Sequence, residues 1–307
     1  MDKIVLVTGA NGFVGRHVIR MLLLQKDVRI VATDMQSSLM NTLDVSGIPY
    51  LAGDLSDRVF VDKLASDYAF DTIIHLAAVL SQAADMSTYF SIMNANIQGT
   101  FLLCEAARKH HRARIVFPST ALVYGGQKGP FTEEMLTNPG DFYALSKLMS
   151  EDLIRFYGQR YEIASVIFRI GILYGPSQKG PMFIPSIIRT LLSEQNFPMT
   201  KGEQTRDFVF IDDFVKAIER ALQNSTVSGV FNIGTGHAPT LIETAATVEM
   251  IIGGSGRIKP GAIAYREKES WEYCLNPHKA NTQLDWKATT SLADGLDKTV
   301  EYERNAQ

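Results

Sequence analysis

Cysteine is scarce in this chain, with only Cys104 and Cys274 among 307 residues. Neither has a Cys or His neighbour at metal-ligand spacing, so a cysteine-held zinc or iron–sulfur centre is excluded and no metal is expected. A disulfide framework is excluded on the same count, and so few thiols suit a reducing, cytoplasmic compartment. No apolar run reaches the roughly 18 residues that a membrane-spanning helix needs. Met1-Asp2-Lys3 leads straight into a strand pattern without the marks of a signal peptide. A cytoplasmic protein with no membrane partner is therefore expected. A basic excess is missing too: the net charge is −3, which speaks against a nucleic-acid partner. The one basic run, Lys109-His110-His111-Arg112-Ala113-Arg114, closes an expected helix, where cations complement the dipole. No internal repeat or low-complexity tract interrupts the chain.

What is present is an ordinary globular composition, 46% hydrophobic and 21% charged. The chain is organised around Thr8-Gly9-Ala10-Asn11-Gly12-Phe13-Val14-Gly15. It follows the apolar run Ile4-Val5-Leu6-Val7 and precedes a helix-length segment free of Gly and Pro. Strand, glycine turn and helix form a phosphate-binding loop, because helix N-terminal N–H groups and the dipole favour an anion. Further strands are expected at 28–34, 49–54, 71–78, 113–118 and 163–169. Helices are expected at 56–66, from Thr88 to Lys109, and at 141–159. This alternation predicts an α/β fold, a doubly wound parallel sheet of Rossmann type. Past residue 170 the pattern shortens, implying a smaller mixed α/β substrate-binding domain over 171–307. The dinucleotide-binding domain is then 1–170, with 206–222 able to pack back onto it.

Asp34 ends the second strand at the distance from the loop where a carboxylate meets an adenosine ribose. It would repel a 2′-phosphate, and no Arg follows in Met35-Gln36-Ser37-Ser38, so NAD is favoured over NADP. Asp54, at the end of the third strand, is placed either to meet the adenine or to cap the next helix. Tyr143 and Lys147 share a helix face at i, i+4. Tyrosine alone is too weakly acidic to act as a base at neutral pH. A neighbouring ammonium is expected to lower its pKa and make the pair a general acid/base unit. Ser119 and Thr120, before Ala121-Leu122-Val123-Tyr124-Gly125, put hydroxyls at the end of the fifth strand.

Taken in order, these motifs resemble an extended short-chain dehydrogenase/reductase of the NAD-dependent epimerase/dehydratase family. They include the TGxxGxxG loop ending at Gly15, Asp34, Gly53-Asp54-Leu55 and His75-Leu76-Ala77-Ala78. They continue with Asn96-Ile97-Gln98-Gly99-Thr100, Ser119-Thr120, Tyr143xxxLys147 and Tyr174-Gly175-Pro176. Arg206-Asp207-Phe208-Val209-Phe210-Ile211-Asp212-Asp213, Phe231-Asn232-Ile233-Gly234 and Lys279-Ala280 complete the series. The GxxGxxG spacing of Gly9, Gly12 and Gly15 is itself that of the short-chain branch. The resemblance implies Tyr143 as acid/base, Lys147 also on the nicotinamide ribose, and Thr120 on the substrate. It implies NAD held by Gly9, Asn11, Gly12, Phe13, Val14, Gly15, Asp34, Asp54, Leu55, Leu76, Ala77, Ala78 and Asn96. It implies Arg206 and Arg266 on the diphosphate of a nucleotide-activated sugar, with Ser81 in the sugar pocket beside Val79, Leu80 and Gln82. It also implies a homodimer through the helices at 88–109 and 141–159.

Two departures bear on function. Many sugar 4,6-dehydratases of this family carry an Asp-Glu pair after the active-site Thr, for acid and base in water elimination; here the pair is Ala121-Leu122. Arg266-Glu267-Lys268-Glu269 stands where Arg-Pro-Gly-Asp is commoner. The expected activity is an NAD-dependent nucleotide-sugar epimerase, at C4. A nucleotide-4-keto-sugar reductase or dehydrogenase of the same fold, and a non-catalytic NAD-binding regulator, are the alternatives.

Overall fold

The computed structural model describes residues 2–38, 47–81, 83–111, 113–267 and 269–306. Met1, Gln82, Arg112 and Lys268, which the sequence analysis names, lie outside the described residues. Strand and helix alternate through Lys3–Thr8 (β1), Phe13–Leu22 (α1), Val28–Asp34 (β2), Tyr50–Ala52 (β3), Arg58–Asp67 (α2) and Thr72–His75 (β4). Met86–Ile92 (α3), Gly99–Ala106 (α4), Arg114–Thr120 (β5), Phe142–Tyr161 (α5) and Ser165–Ile170 (β6) follow. Next come Ile172–Tyr174 (β7), Phe183–Leu192 (α6), Phe197–Met199 (β8), Phe208–Phe210 (β9), Ile211–Gln223 (α7) and Gly229–Ile233 (β10). Leu241–Ile252 (α8), Ile258–Pro260 (β11), His278–Gln283 (α9) and Leu292–Asn305 (α10) close the chain. Among the described residues no helix is long and apolar enough to cross a membrane.

The main sheet has seven strands in the order β10-β6-β5-β4-β1-β2-β3. The pairs β1–β2, β1–β4, β2–β3 and β4–β5 are parallel, as a doubly wound fold requires. The order reverses between β1 and β4. Outside the carboxyl ends of strands at such a reversal, two loops diverge and leave a ligand crevice. One face of the sheet sends Leu6, Val31, Ile73, Ile115 and Phe117 into a core with Leu64, Leu103 and Ile154 of α2, α4 and α5. Val5, Val7, Ile74 and Val116 alternate to the other face and are equally buried.

The chain forms two compact units. The first takes Met1–Val123, Thr137–Arg169 and Ile218–Phe231; the second takes Tyr124–Leu136, Ile170–Ala217 and Asn232–Gln307. The second unit is built on the small parallel pairs β7–β9 and β8–β11. Its hub is the buried carboxylate of Asp207, which accepts N–H groups of Thr235 at 2.8 Å, Leu275 at 3.2 Å and Gly236 at 3.3 Å. Gly295 of α10 must be glycine, since a Cβ there would come within 2.1 Å of the Tyr174 hydroxyl.

The single helix expected from Thr88 to Lys109 is not continuous. α3 passes into π-helix over Met93–Gln98, resumes as α4, and passes again into π-helix at Ala107–His111. The first interruption has a cause in its side chains. The Asn96 carbonyl accepts hydroxyl hydrogen bonds from Thr100 at 2.5 Å and Ser150 at 2.9 Å, and such competition distorts helices. The basic run is also divided. Lys109 pairs with Glu105, whereas Arg114 belongs to β5 and donates to the carbonyls of Ala221 and Val227.

Candidate active site

The glycine loop joins β1 to α1 at the sheet's reversal point. A Cβ on Gly9 would lie 2.7 Å from the Ala77 nitrogen, and its φ is +64°, so glycine is required both by approach and by conformation. A Cβ on Gly15 would strike the Gly9 carbonyl oxygen at 2.3 Å. Gly12 is exposed and is the N-cap of α1; no side chain caps that helix, and its first turn carries no acid. Phe13 and Val14 are half-buried in that turn. The positive end of α1 is thus presented bare, as a diphosphate needs.

Asp34 accepts the Asn11 N–H at 3.0 Å, so the second strand and the loop are locked together. Asn11 Nδ2 donates to the Ser38 carbonyl and to the Tyr50 hydroxyl. Tyr50 was not foreseen. Burial and the Asp34 charge both push its phenol above the ordinary value. Asp54 lies past β3 and does not cap α2. That cap is Asp57, while Asp54 is exposed and accepts the Ser56 N–H at 2.8 Å in a local turn. Leu55 is buried beneath it.

β4 ends at His75, so Leu76, Ala77 and Ala78 form the loop facing Gly9. A buried hydrogen-bond chain positions that loop. Thr100 Oγ1 gives its proton to the Asn96 carbonyl and accepts from His75 Nε2–H at 3.0 Å. His75 Nδ1 therefore accepts from Thr8 Oγ1 at 2.9 Å, and Thr8 accepts the Ala77 N–H at 3.1 Å. Burial, helped by the Lys147 charge, brings His75 down to about 3, so the ring is neutral and keeps this one tautomer. Asn96 clamps the loop's far end, accepting from Val79 N at 2.8 Å and donating to the Val79 carbonyl at 3.1 Å and to Ser146 Oγ at 2.9 Å. Ser81 is half-buried and its hydroxyl accepts the Ala83 N–H in a turn.

α5 packs on β5, and Tyr143, Lys147 and Glu151 follow one another along one face of α5. The Lys147 ammonium lies 4.0 Å above the Phe117 ring, in the strand that ends at Thr120. Lys147 is only 4% exposed. Burial lowers its pKa to about 7, against the Glu151 carboxylate, which favours the ammonium. Tyr143 departs from expectation. Burial and then the charge of Asp141 push its phenol up rather than down, because both disfavour the phenolate. Asp141 caps α5, accepting the Ala144 N–H at 2.7 Å. Thr120 Oγ1 accepts the Leu122 N–H at 3.2 Å, which leaves its own proton to donate elsewhere.

Sequence reasoning missed Glu151 and Arg169. Glu151 is 0% and Arg169 3% exposed, joined at 2.8 Å and 3.1 Å, and Ser119 donates to the same carboxylate. The spacing of Glu151, one turn beyond Lys147, is the only signal the sequence held; that Arg169 and Ser119 complete it depends on strand order.

In the second unit, Arg206 lies at 17% side-chain exposure and pairs with Glu269 at 2.6 Å. Arg266 is exposed in the same segment as Glu269.

The family model for the NAD dependent epimerase/dehydratase family matches residues 5–234. The chain belongs to that family. It is 30% identical to a UDP-glucose epimerase of Bacillus subtilis (strain 168), YtcB, itself uncharacterised, over 97% of both chains. It is 28% identical to the dTDP-glucose 4,6-dehydratase of Neisseria gonorrhoeae, over 98% of this chain and 95% of that one. Its fold superposes with a TM-score of 0.91 on the UDP-glucuronic acid 4-epimerase of Bacillus cereus bound to UDP-glucuronic acid and NAD. That match is 27% identical and covers 99% of this chain and 100% of the other. NAD is the cofactor of the family, and the first unit fits it. The uncapped N-terminus of α1, the cramped glycines and the Asp34 carboxylate are all in place for a dinucleotide.

Proposed function

We propose that the chain is an NAD-dependent epimerase of nucleotide-activated sugars, acting at C4 through transient oxidation to a keto-sugar. One observation carries this reading. Thr120, Tyr143 and Lys147 come with a buried Ala121 and a half-buried Leu122 where a dehydratase would carry its acid and base. Such a site has one proton-transferring group, enough for reversible oxidation of an alcohol and too few for water elimination. The likeness to sugar-nucleotide 4-epimerases supports it.

In this reading NAD, when bound, supplies the acceptor and the donor of one hydride at the sugar carbon. Tyr143 removes the hydroxyl proton at its Oη and returns it, so no reducing equivalent is consumed. Lys147 keeps a positive charge beside the phenol and holds the nicotinamide ribose. Thr120 donates its free proton to the substrate oxygen. The glycines at 9, 12 and 15, with Asn11, Phe13 and Val14, hold the diphosphate of NAD; Asp34 takes the adenosine ribose, and Asp54 and Leu55 flank the adenine. Leu76, Ala77, Ala78 and Asn96 line the nicotinamide side. The first unit is then the NAD-binding part. The second holds the nucleotide-sugar through Arg206 and Arg266, and Ser81 contacts the sugar.

The test is turnover with bound NAD on a panel of UDP-, dTDP-, GDP- and CDP-sugars. A C4 epimer should form with no net change in the absorbance of reduced nicotinamide. Net oxidation or reduction would instead establish the dehydrogenase or reductase, and no conversion of any sugar-nucleotide would defeat the reading. Tyr143→Phe should lose about 10²- to 10⁴-fold in turnover while still binding NAD.

A cytoplasmic homodimer belongs to the same proposal. Met86, Phe90 and Met93 of the first helical run and Leu145, Met149 and Phe156 of α5 are exposed apolar residues on helices that pack together. A surface stripe of that kind suits a second copy of the chain. Sedimentation should give a dimer, and Phe90→Glu with Met149→Glu should give a monomer; a monomeric parent protein would refute it.

A further inference from the structure

Tyr50 and Asn11 tie the glycine loop to the residues that follow Asp34. Asn11 is only 6% exposed, and its Nδ2 uses both hydrogens inside the protein, on the Ser38 carbonyl at 3.0 Å and the Tyr50 hydroxyl at 3.3 Å. The Tyr50 hydroxyl in turn donates to the Gln36 carbonyl at 2.5 Å. Burial first and the Asp34 charge second raise the phenol above its ordinary value, so it stays protonated and remains a donor. Two carbonyls of an exposed segment, at Gln36 and Ser38, are thereby held by one buried amide and one phenol.

Asp34 is fixed by the same elements. Its Oδ2 accepts the Asn11 N–H at 3.0 Å and its Oδ1 accepts the Gln36 N–H at 3.4 Å. Its carbonyl accepts the Gly53 N–H at 3.0 Å, and the Thr33 carbonyl before it accepts the Ala10 N–H at 3.2 Å. Each carboxylate oxygen has a second lone pair to offer a ligand. The carboxylate cannot turn away without breaking these bonds. The segment behind it cannot swing out while Asn11 and Tyr50 hold its carbonyls.

Immobility matters here because Asp34 is only half-buried. Between partly exposed charges repulsion is screened over about 8 Å at physiological salt, so a carboxylate free to swing aside would largely escape a 2′-phosphate. Ser37 and Ser38 carry hydroxyls able to donate to a phosphate, so the composition of the segment does not by itself bar NADP. We infer that Tyr50 and Asn11 form a latch that enforces the choice of NAD: they fix Asp34 and the segment 36–38 so that neither can yield to a 2′-phosphate. Both act through Asp34 and are positioning residues. The latch rests on the reading of Asp34 as the ligand of the adenosine ribose.

The experiment is equilibrium dialysis of the holoenzyme against NAD with NADP in large, fixed excess, followed by chromatography of the bound dinucleotides. Tyr50→Phe removes one hydroxyl and keeps the ring. The bound ratio of NADP to NAD should rise about three- to tenfold, the worth of one or two hydrogen bonds. Asn11→Ala cuts the latch from its other side and should move the ratio the same way, so either variant serves if the other fails to fold. Residues that merely supported the fold would weaken both dinucleotides alike and leave the ratio unmoved. An unchanged or more NAD-biased ratio in the folded variants therefore overturns the latch. In an Asp34→Asn background, with no charge left to hold in place, Tyr50→Phe should add nothing. A further rise there would mean that Tyr50 does not act through Asp34, and it too overturns the latch. Asp34→Asn by itself separates the two readings. If it leaves the parental ratio, Asp34 does not select the cofactor and the latch falls with that reading. If it raises NADP while Tyr50→Phe and Asn11→Ala do not, only the latch falls.

Discussion

Tyr143 stands in the first turn of α5, two residues after Asp141, and two influences compete there. The helix dipole favours a phenolate at an N-terminus. Burial and the Asp141 carboxylate oppose it and raise the pKa. Asp141 also caps the helix, a job that Asn performs about equally well. Asp141→Asn therefore removes the charge and keeps the cap. With the opposing charge gone, the phenolate forms more readily and the tyrosine pKa falls. The rise of kcat/KM with pH that reports Tyr143 deprotonation should shift to lower pH in this variant, with melting temperature unchanged. Lys147 completes the balance. At about 7 its own pKa leaves it able to lose its charge within the working range, and the Glu151 carboxylate is what resists that loss.

The helical stretch from Met86 to His111 shows why element boundaries escape a reading by pattern. Its apolar spacing predicts one helix, and local propensity contains nothing against that. The π-helix over Met93–Gln98 arises because hydroxyls of Thr100 and Ser150 both take the Asn96 carbonyl. Ser150 is on α5, far along the chain, so only tertiary packing brings it there. Thr100 is the more connected of the two, since it also accepts from His75. Thr100→Val keeps the shape and deletes the oxygen. It leaves the His75 Nε2–H buried without an acceptor, at a cost of about 1–3 kcal/mol. Urea denaturation should register that loss as a lower midpoint with an unchanged slope. The same change frees the end of the relay to Ala77, so NAD affinity should fall as well.

At the scale of the whole chain, the reversal of strand order between β1 and β4 decides where a dinucleotide binds. In the proposed reading Asp34 at the end of β2 then selects the dinucleotide, since its carboxylate would accept from a ribose hydroxyl and repel a 2′-phosphate. NAD at about 100 times its Kd should stabilise the protein by about 2.7 kcal/mol, a rise of roughly 5 °C in melting temperature. NADP at the same concentration should produce a clearly smaller rise. Equal shifts would show that Asp34 does not select the cofactor. The interleaved course of the chain between the two units was only partly legible. The glycine and proline cluster after residue 170 marks a change of architecture, but nothing local to Tyr124–Leu136 or Ile218–Phe231 announces the unit each one joins.

Part of this protein is written in short-range spacing. The glycine loop, Asp34 at a strand end, and Tyr143 with Lys147 on one helix face are local patterns, and elementary geometry carries them from residue order to chemistry. Tertiary structure alone decided the electrostatics. The burial that raises Tyr143, the neutral His75, the buried Glu151–Arg169 pair and the Arg206–Glu269 contact depend on packing or on partners distant in the chain. Charges respond to the dielectric and the neighbours around them, and neither exists until the strands have found their order.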